Sequence, residues 1–110
     1  MSTIEVVGRE SRRVIQGTAG WTPARWRLPA PEGRVDRVAV MRALIQELAD
    51  LVAEAEGAPR RTVPPPAFET GLGDQLAVMV SDLMAVDPCP RRCEAAISAI
   101  RRTHAGLFRT

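Results

Sequence analysis

The chain has 110 residues, with 15 Arg, no Lys and 13 Asp plus Glu, for a formal charge of +2. That is the length of one domain, and 45% apolar with 25% charged residues is a globular composition. No apolar run reaches the roughly 18 residues of a membrane span, the first 20 residues hold no apolar leader core, and two Cys do not make a disulfide framework; the expected setting is the cytoplasm, with no membrane partner.

Residues 1–34 read as an N-terminal arm. Ile4-Glu5-Val6-Val7 and Arg13-Val14-Ile15-Gln16 are β-branched runs on either side of Gly8-Arg9-Glu10-Ser11, a pattern that fits a β-hairpin. A lone hairpin is marginal in water, so it would need a surface to lie on. The stretch from Gly17 to Gly33 carries three Pro and three Gly, which exclude regular structure over most of it.

Residues 35–110 read as a three-helix domain. Val38, Met41, Ile45, Leu48, Val52 and Ala55 alternate steps of three and four, widened by Leu44 and Leu51, which predicts a helix over 35–56. Asp36 suits its N-cap, and Gly57 with Pro59 its end. Residues 58–69 contain Pro64-Pro65-Pro66, expected in extended polyproline II. The tract is either a ligand for some groove or a stiff spacer between helices. Leu72, Leu76, Met79, Val80, Leu83 and Val86 predict a second helix over 72–86, with Thr70 or Asp74 as cap. Cys93, Ile97, Ile100, His104 and Leu107 predict a third over 90–106, with Pro90 in its first turn and Gly106 as its C′ residue. The fold expected is mostly α, a three-helix bundle-like domain with an irregular or β-hairpin arm.

Few residues are equipped for chemistry. Cys89 and Cys93 flank Arg91 and Arg92 at a predicted helix start, where the dipole and the two cations favour a thiolate. That suggests a redox-sensing pair. The Cys-x3-Cys spacing is not the Cys-x2-Cys of thioredoxin-like sites, and Cys93 also reads as a small core residue. A structural zinc needs four Cys or His ligands, and the chain has three such residues, so no metal and no cofactor is expected. His104, the single His, falls on an apolar stripe near a helix C-terminus and reads first as an interior or interface residue. Ser2, Ser11, Ser81 and Ser98 lack a nucleophile motif, and Gly71-Leu72-Gly73-Asp74 lacks the remainder of a phosphate loop. Without Tyr or Lys the acid–base set is nearly empty, so no enzyme is expected.

Trp21, Arg25 and Trp26 form the other constellation. They suit a core anchor, a protein interface or stacking on single-stranded nucleic acid.

Charge runs in blocks: +3 over 1–34, −3 over 35–58, +2 over 59–68, −4 over 69–90 and +4 over 91–110. Complementary packing, within the chain or between subunits, is the economical reading. The sharper one is a nucleic-acid surface built from Arg91, Arg92, Arg101, Arg102 and Arg109 together with the arm. The first long helix opposes its own dipole, with Arg37 and Arg42 at its start and Glu47, Asp50, Glu54 and Glu56 towards its end. Antiparallel pairing with a second copy about Ala49 would correct this, setting Arg42 near the other copy's Glu56. The expected function is therefore a small non-enzymatic interaction or regulatory module. It would be homodimeric or bound to another protein through Val38, Met41, Arg42, Ile45, Leu48, Val52 and Glu56, with Trp21, Arg25 and Trp26.

Overall fold

The computed structural model describes residues 2–31 and 35–108. Among them are five α-helices: α1 Thr3–Thr18, α2 Pro23–Trp26, α3 Arg37–Glu56, α4 Leu72–Ala85 and α5 Pro90–Phe108, with a 3-10 turn at Glu69–Gly71. The three helices predicted after residue 34 are present. The β-hairpin is not: among the described residues there is no strand, and the one bridge pairs Pro29 with Asp36.

The arm is instead the helix α1. Ser2 caps it, accepting from the Glu5 N–H at 3.2 Å, with Glu5 three residues on as a capping box requires. Its inward face is Val7, Gly8, Glu10, Ser11, Val14 and Thr18. Only two of these are large and apolar. Ser11 and Thr18 donate their hydroxyls to the carbonyls of Gly8 and Val14, both at 2.9 Å, so they are buried without needing outside partners. The helical period is nonetheless in the sequence, with Val7, Ser11, Val14 and Thr18 at steps of four, three and four opposite Arg9, Arg12, Arg13 and Gln16. β-branched residues then weighed towards strand, a preference that tertiary packing overrides.

Four helices form a ring. α1 packs on α5 and α4, and α3 packs on α4 and α5, so α1 and α3 lie on one diagonal and α4 and α5 on the other. Glu10 meets Arg101, and Gly17 meets Phe108, so α1 and α5 run parallel. A β-carbon at Gly17 would fall 2.7 Å from the Phe108 ring; glycine is needed there for the close approach. Glu54 meets Arg91 while Val40 lies by Gly106, so α3 and α5 are antiparallel. α5 runs on through Gly106 to Phe108, correcting the expected stop.

α3 and α4 run parallel, because Val38 and Arg42 share a cleft with Leu72 while Val52 and Glu56 share one with Met79 and Asp82. Parallel neighbours cannot be joined by a tight turn. The connection must travel back along the bundle, and about eleven extended residues cover roughly 34 Å. The triple-proline segment is that return strap. Gln46 fastens it: its Nε2 donates to the Arg61 carbonyl at 2.9 Å, and its Oε1 accepts from the Val63 N–H at 2.8 Å. Gln75 donates to the Pro64 carbonyl at 2.9 Å. Of the two sequence readings of this tract, the stiff spacer is the arrangement seen.

The long helix is capped as expected. Asp36 accepts from the Ala39 N–H at 2.7 Å, and Gly57 closes it at φ 65°. α4 follows the 3-10 turn with no side-chain cap, so neither Thr70 nor Asp74 serves as one. The core runs through the whole ring, from Val7 and Val14 of α1 and Trp21 and Trp26 of the arm to Leu48, Leu76 and Ile100.

Candidate functional site

The interface candidates divide sharply. Met41, Ile45 and Leu48 are at most 1% exposed and belong to the chain's own core, so they are closed to any partner. Trp21 and Trp26 are buried too, edge to face with centroids 4.8 Å apart, and Trp21 also packs on Phe108. Arg25 and Arg37 each hold a guanidinium 4.9 Å from the Trp21 ring. The indoles therefore anchor the irregular arm, and Arg25 is the exposed member of that group. Val38 is half-buried against the core. Arg42 turns to the strap, 3.4 Å from the Val63 carbonyl, rather than standing free for another chain.

Val52 and Glu56 remain open. They line a groove of about 510 Å³ with Ala49 and Ala53 of α3, Met79 and Asp82 of α4, and Arg61 and Val63 of the strap. Val52, Val63 and Met79 are its half-buried apolar members, and Glu56, Arg61 and Asp82 are exposed. Among the described residues none of these three charges has an ion-pair partner.

The arginines of α5 are placed one by one. Arg91 and Arg92 both pair with Glu54, the latter at 3.2 Å, and Arg102 pairs with Glu47 at 3.1 Å. α5 is thus the antiparallel partner that the reversed charges of α3 require, within one chain. Hydrogen bonding from Arg91, then the charges of Arg91 and Arg92, hold the Glu54 carboxyl below its ordinary value against a smaller opposing effect of burial. Arg109 lies outside the described residues.

Arg101 is different. It reaches Glu10, which is 4% exposed and lies between α1 and α5. Glu10 accepts from Arg13 at 2.9 Å and from Arg9 and Arg101 at 3.4 Å each. Burial alone would raise this carboxyl; the Arg13 hydrogen bond and the charges of Arg101 and Arg13 together outweigh it, and the net shift is downward. This hub was invisible in the sequence, because Glu10 and Arg101 are 91 positions apart and nothing local marks the pair.

Cys89 sits just before Pro90, half-buried; Cys93 is buried one turn on. The Arg92 N–H directed at the Cys89 sulfur, aided by the charges of Arg92 and Arg91, holds this thiol below its ordinary value despite burial. The Arg92 guanidinium donates to Sγ at 3.5 Å. Cys93 instead donates to the Pro88 carbonyl at 3.7 Å, as a core residue would. His104 packs its ring 4.7 Å from Phe108, and burial, then the Arg13 charge, push its pKa down against the pull of Glu10. Among the described residues no group of three or more His, Cys, Asp or Glu could hold a metal ion, and no helix is long and apolar enough to cross a membrane.

Set against protein-family models, curated proteins and solved structures, the chain matches none of them.

Proposed function

We propose that this protein is a small non-enzymatic interaction module that acts as a homodimer through the C-terminal half of α3, α4 and the strap. The groove at Val52 and Met79 supports this reading, because it carries charges of both signs, unpaired among the described residues, beside apolar surface. A two-fold contact places the same patch on both sides, so each residue i that meets j is matched by j meeting i. Here Arg61 of the strap, Glu56 of α3 and Asp82 of α4 line one groove with Val52, Val63 and Met79. Two copies related by a two-fold axis can set each Arg61 against the acids of the other.

This differs from a dimer built on the whole long helix. The central stripe is spent on the core, and the charge partner of Glu56 is Arg61 rather than Arg42.

Sedimentation velocity from about 1 to 100 μM tests the proposal. A dimer is expected, with Glu56→Arg and Arg61→Glu each weakening it and the double variant restoring it. A monomer at 100 μM, or a double variant no better than either single one, ends the proposal.

A further inference from the structure

The edge of the bundle opposite the groove is the α1/α5 pair, and its charge is unbalanced. Elsewhere on α5 the arginines share carboxylates of α3: two face Glu54 and one faces Glu47. On the α1/α5 edge three guanidiniums, those of Arg9, Arg13 and Arg101, share the single carboxylate of Glu10. Two positive charges are left over at one spot. The side chains are 47%, 54% and 57% exposed, so most of their N–H donors face solvent while Glu10, at 5%, sits beneath them.

A guanidinium carries five donors, and the contact with Glu10 occupies one nitrogen of each. The buried carboxylate acts as a staple that fixes the fork ends in place. Side chains held this way lose less rotamer freedom when they meet an anion, and Arg forks match phosphate oxygens bidentately. Arg9 and Arg13 stand one turn apart on α1 and Arg101 lies across on α5, and the three guanidiniums converge over Glu10 with their remaining donors facing solvent. Two surplus charges on outward-facing forks suit the closely spaced phosphates of a polyanion. The acids of these two helices nearest to the forks are Glu5, one turn before Arg9, and Glu94, two turns before Arg101; both stand towards the helix N-termini.

We infer that the α1/α5 edge binds the sugar–phosphate backbone of double-stranded nucleic acid through Arg9, Arg13 and Arg101, without reading its sequence. Arg91 and Arg92, prominent in the sequence, are not part of this surface because they face Glu54 of α3; Arg102 lines the same cleft as Arg101 but is paired with Glu47. The inference does not rest on the dimer, whose groove lies on the opposite edge.

Fluorescence anisotropy with a random-sequence duplex of about 25 base pairs tests it. Three phosphate contacts release about three counterions, for a slope of log affinity against log salt near −2.7 and a loss of roughly forty-fold between 50 and 200 mM salt. Arg9→Gln and Arg101→Gln are each expected to reduce that slope by about one, whereas Arg91→Gln leaves it unchanged. Thermal melts of each variant identify any that fails to fold; Arg9→Lys and Arg101→Lys, which keep the charge, are expected to keep the slope. No binding at 20 mM salt with protein at about 100 μM overturns the inference. So does an equal effect from Arg91→Gln, or binding to vesicles of one-third phosphatidylserine in the absence of duplex binding.

Discussion

Cys89 shows how much one residue's chemistry depends on its place along a helix. It stands before the first turn of α5, where backbone N–H groups lack helical partners, while Cys93 is inside the core. The thiolate is the reacting species, so a thiol held below 9.0 reaches its half-maximal rate below that pH. Iodoacetamide labelling followed by mass spectrometry between about pH 6 and 10 should show Cys89 modified first, with Cys93 unreactive until the chain unfolds. Equal labelling of both thiols in the folded protein would remove the distinction. The sequence pointed to this neighbourhood, since helix start, Arg91 and Arg92 are all local. It also separated the two cysteines, because Cys93 falls on the apolar stripe with Ile97 and Ile100 while Cys89 precedes the helix.

At the scale of elements, legibility followed where each helix finds its burial energy. α3, α4 and α5 bury Leu, Ile, Val and Met at helical spacing, and their bounds agree with the periodicity within about two residues. α1 carries the period in its charges: Val7, Ser11, Val14 and Thr18 share one face, and Glu5, Arg9, Arg12, Arg13 and Gln16 the other. Its cap, Ser2 with Glu5, is a second local signal, and the β-branched run Ile4, Val6 and Val7 favoured strand over both. The strap was legible as an extended spacer, but its anchoring was not, since Gln46 carries no mark of what it will bind. A carboxamide that both donates to and accepts from one strand of backbone replaces a neighbouring strand. Each such bond contributes about 0.5–1.5 kcal/mol net. Gln46→Ala is therefore expected to cost about 1–2 kcal/mol in urea denaturation and to speed trypsin cleavage after Arg60 and Arg61, which are both exposed. Unchanged cleavage would mean that the prolines and the Val63 contact hold the strap without Gln46.

Over the whole molecule, the blocks of charge resolve into a polarised bundle: acidic α3 neutralised by basic α5, one edge left with surplus arginine, the other with Glu56 and Asp82. The pH response follows from the two titrating groups that meet at Arg13. His104 is pushed below 6.5, chiefly by burial and then by the Arg13 charge. Its neutral form is the one the fold prefers, so its contribution is full above about pH 6.5 and is lost as pH falls towards the folded value. Glu10 is held below 4.5: burial opposes this, and the Arg13 hydrogen bond with the charges of Arg101 and Arg13 prevails. Its contribution is present above about pH 4.5 and is lost as pH falls through the folded value, when the staple under Arg9, Arg13 and Arg101 is neutralised. Both losses run towards acid, in two steps. The urea midpoint should be level above about pH 7, decline below about pH 6.5 and fall more steeply below about pH 4.5. His104→Leu should flatten the first step and leave the second. Glu10→Gln should start lower at neutral pH, because three guanidiniums then lack their carboxylate, and should weaken the second step, leaving Glu54 as a remaining source of it. A midpoint that rises between pH 7 and pH 5 would mean that His104 is stabilised in its charged form, contrary to its packing against Phe108 and its place beside Arg13.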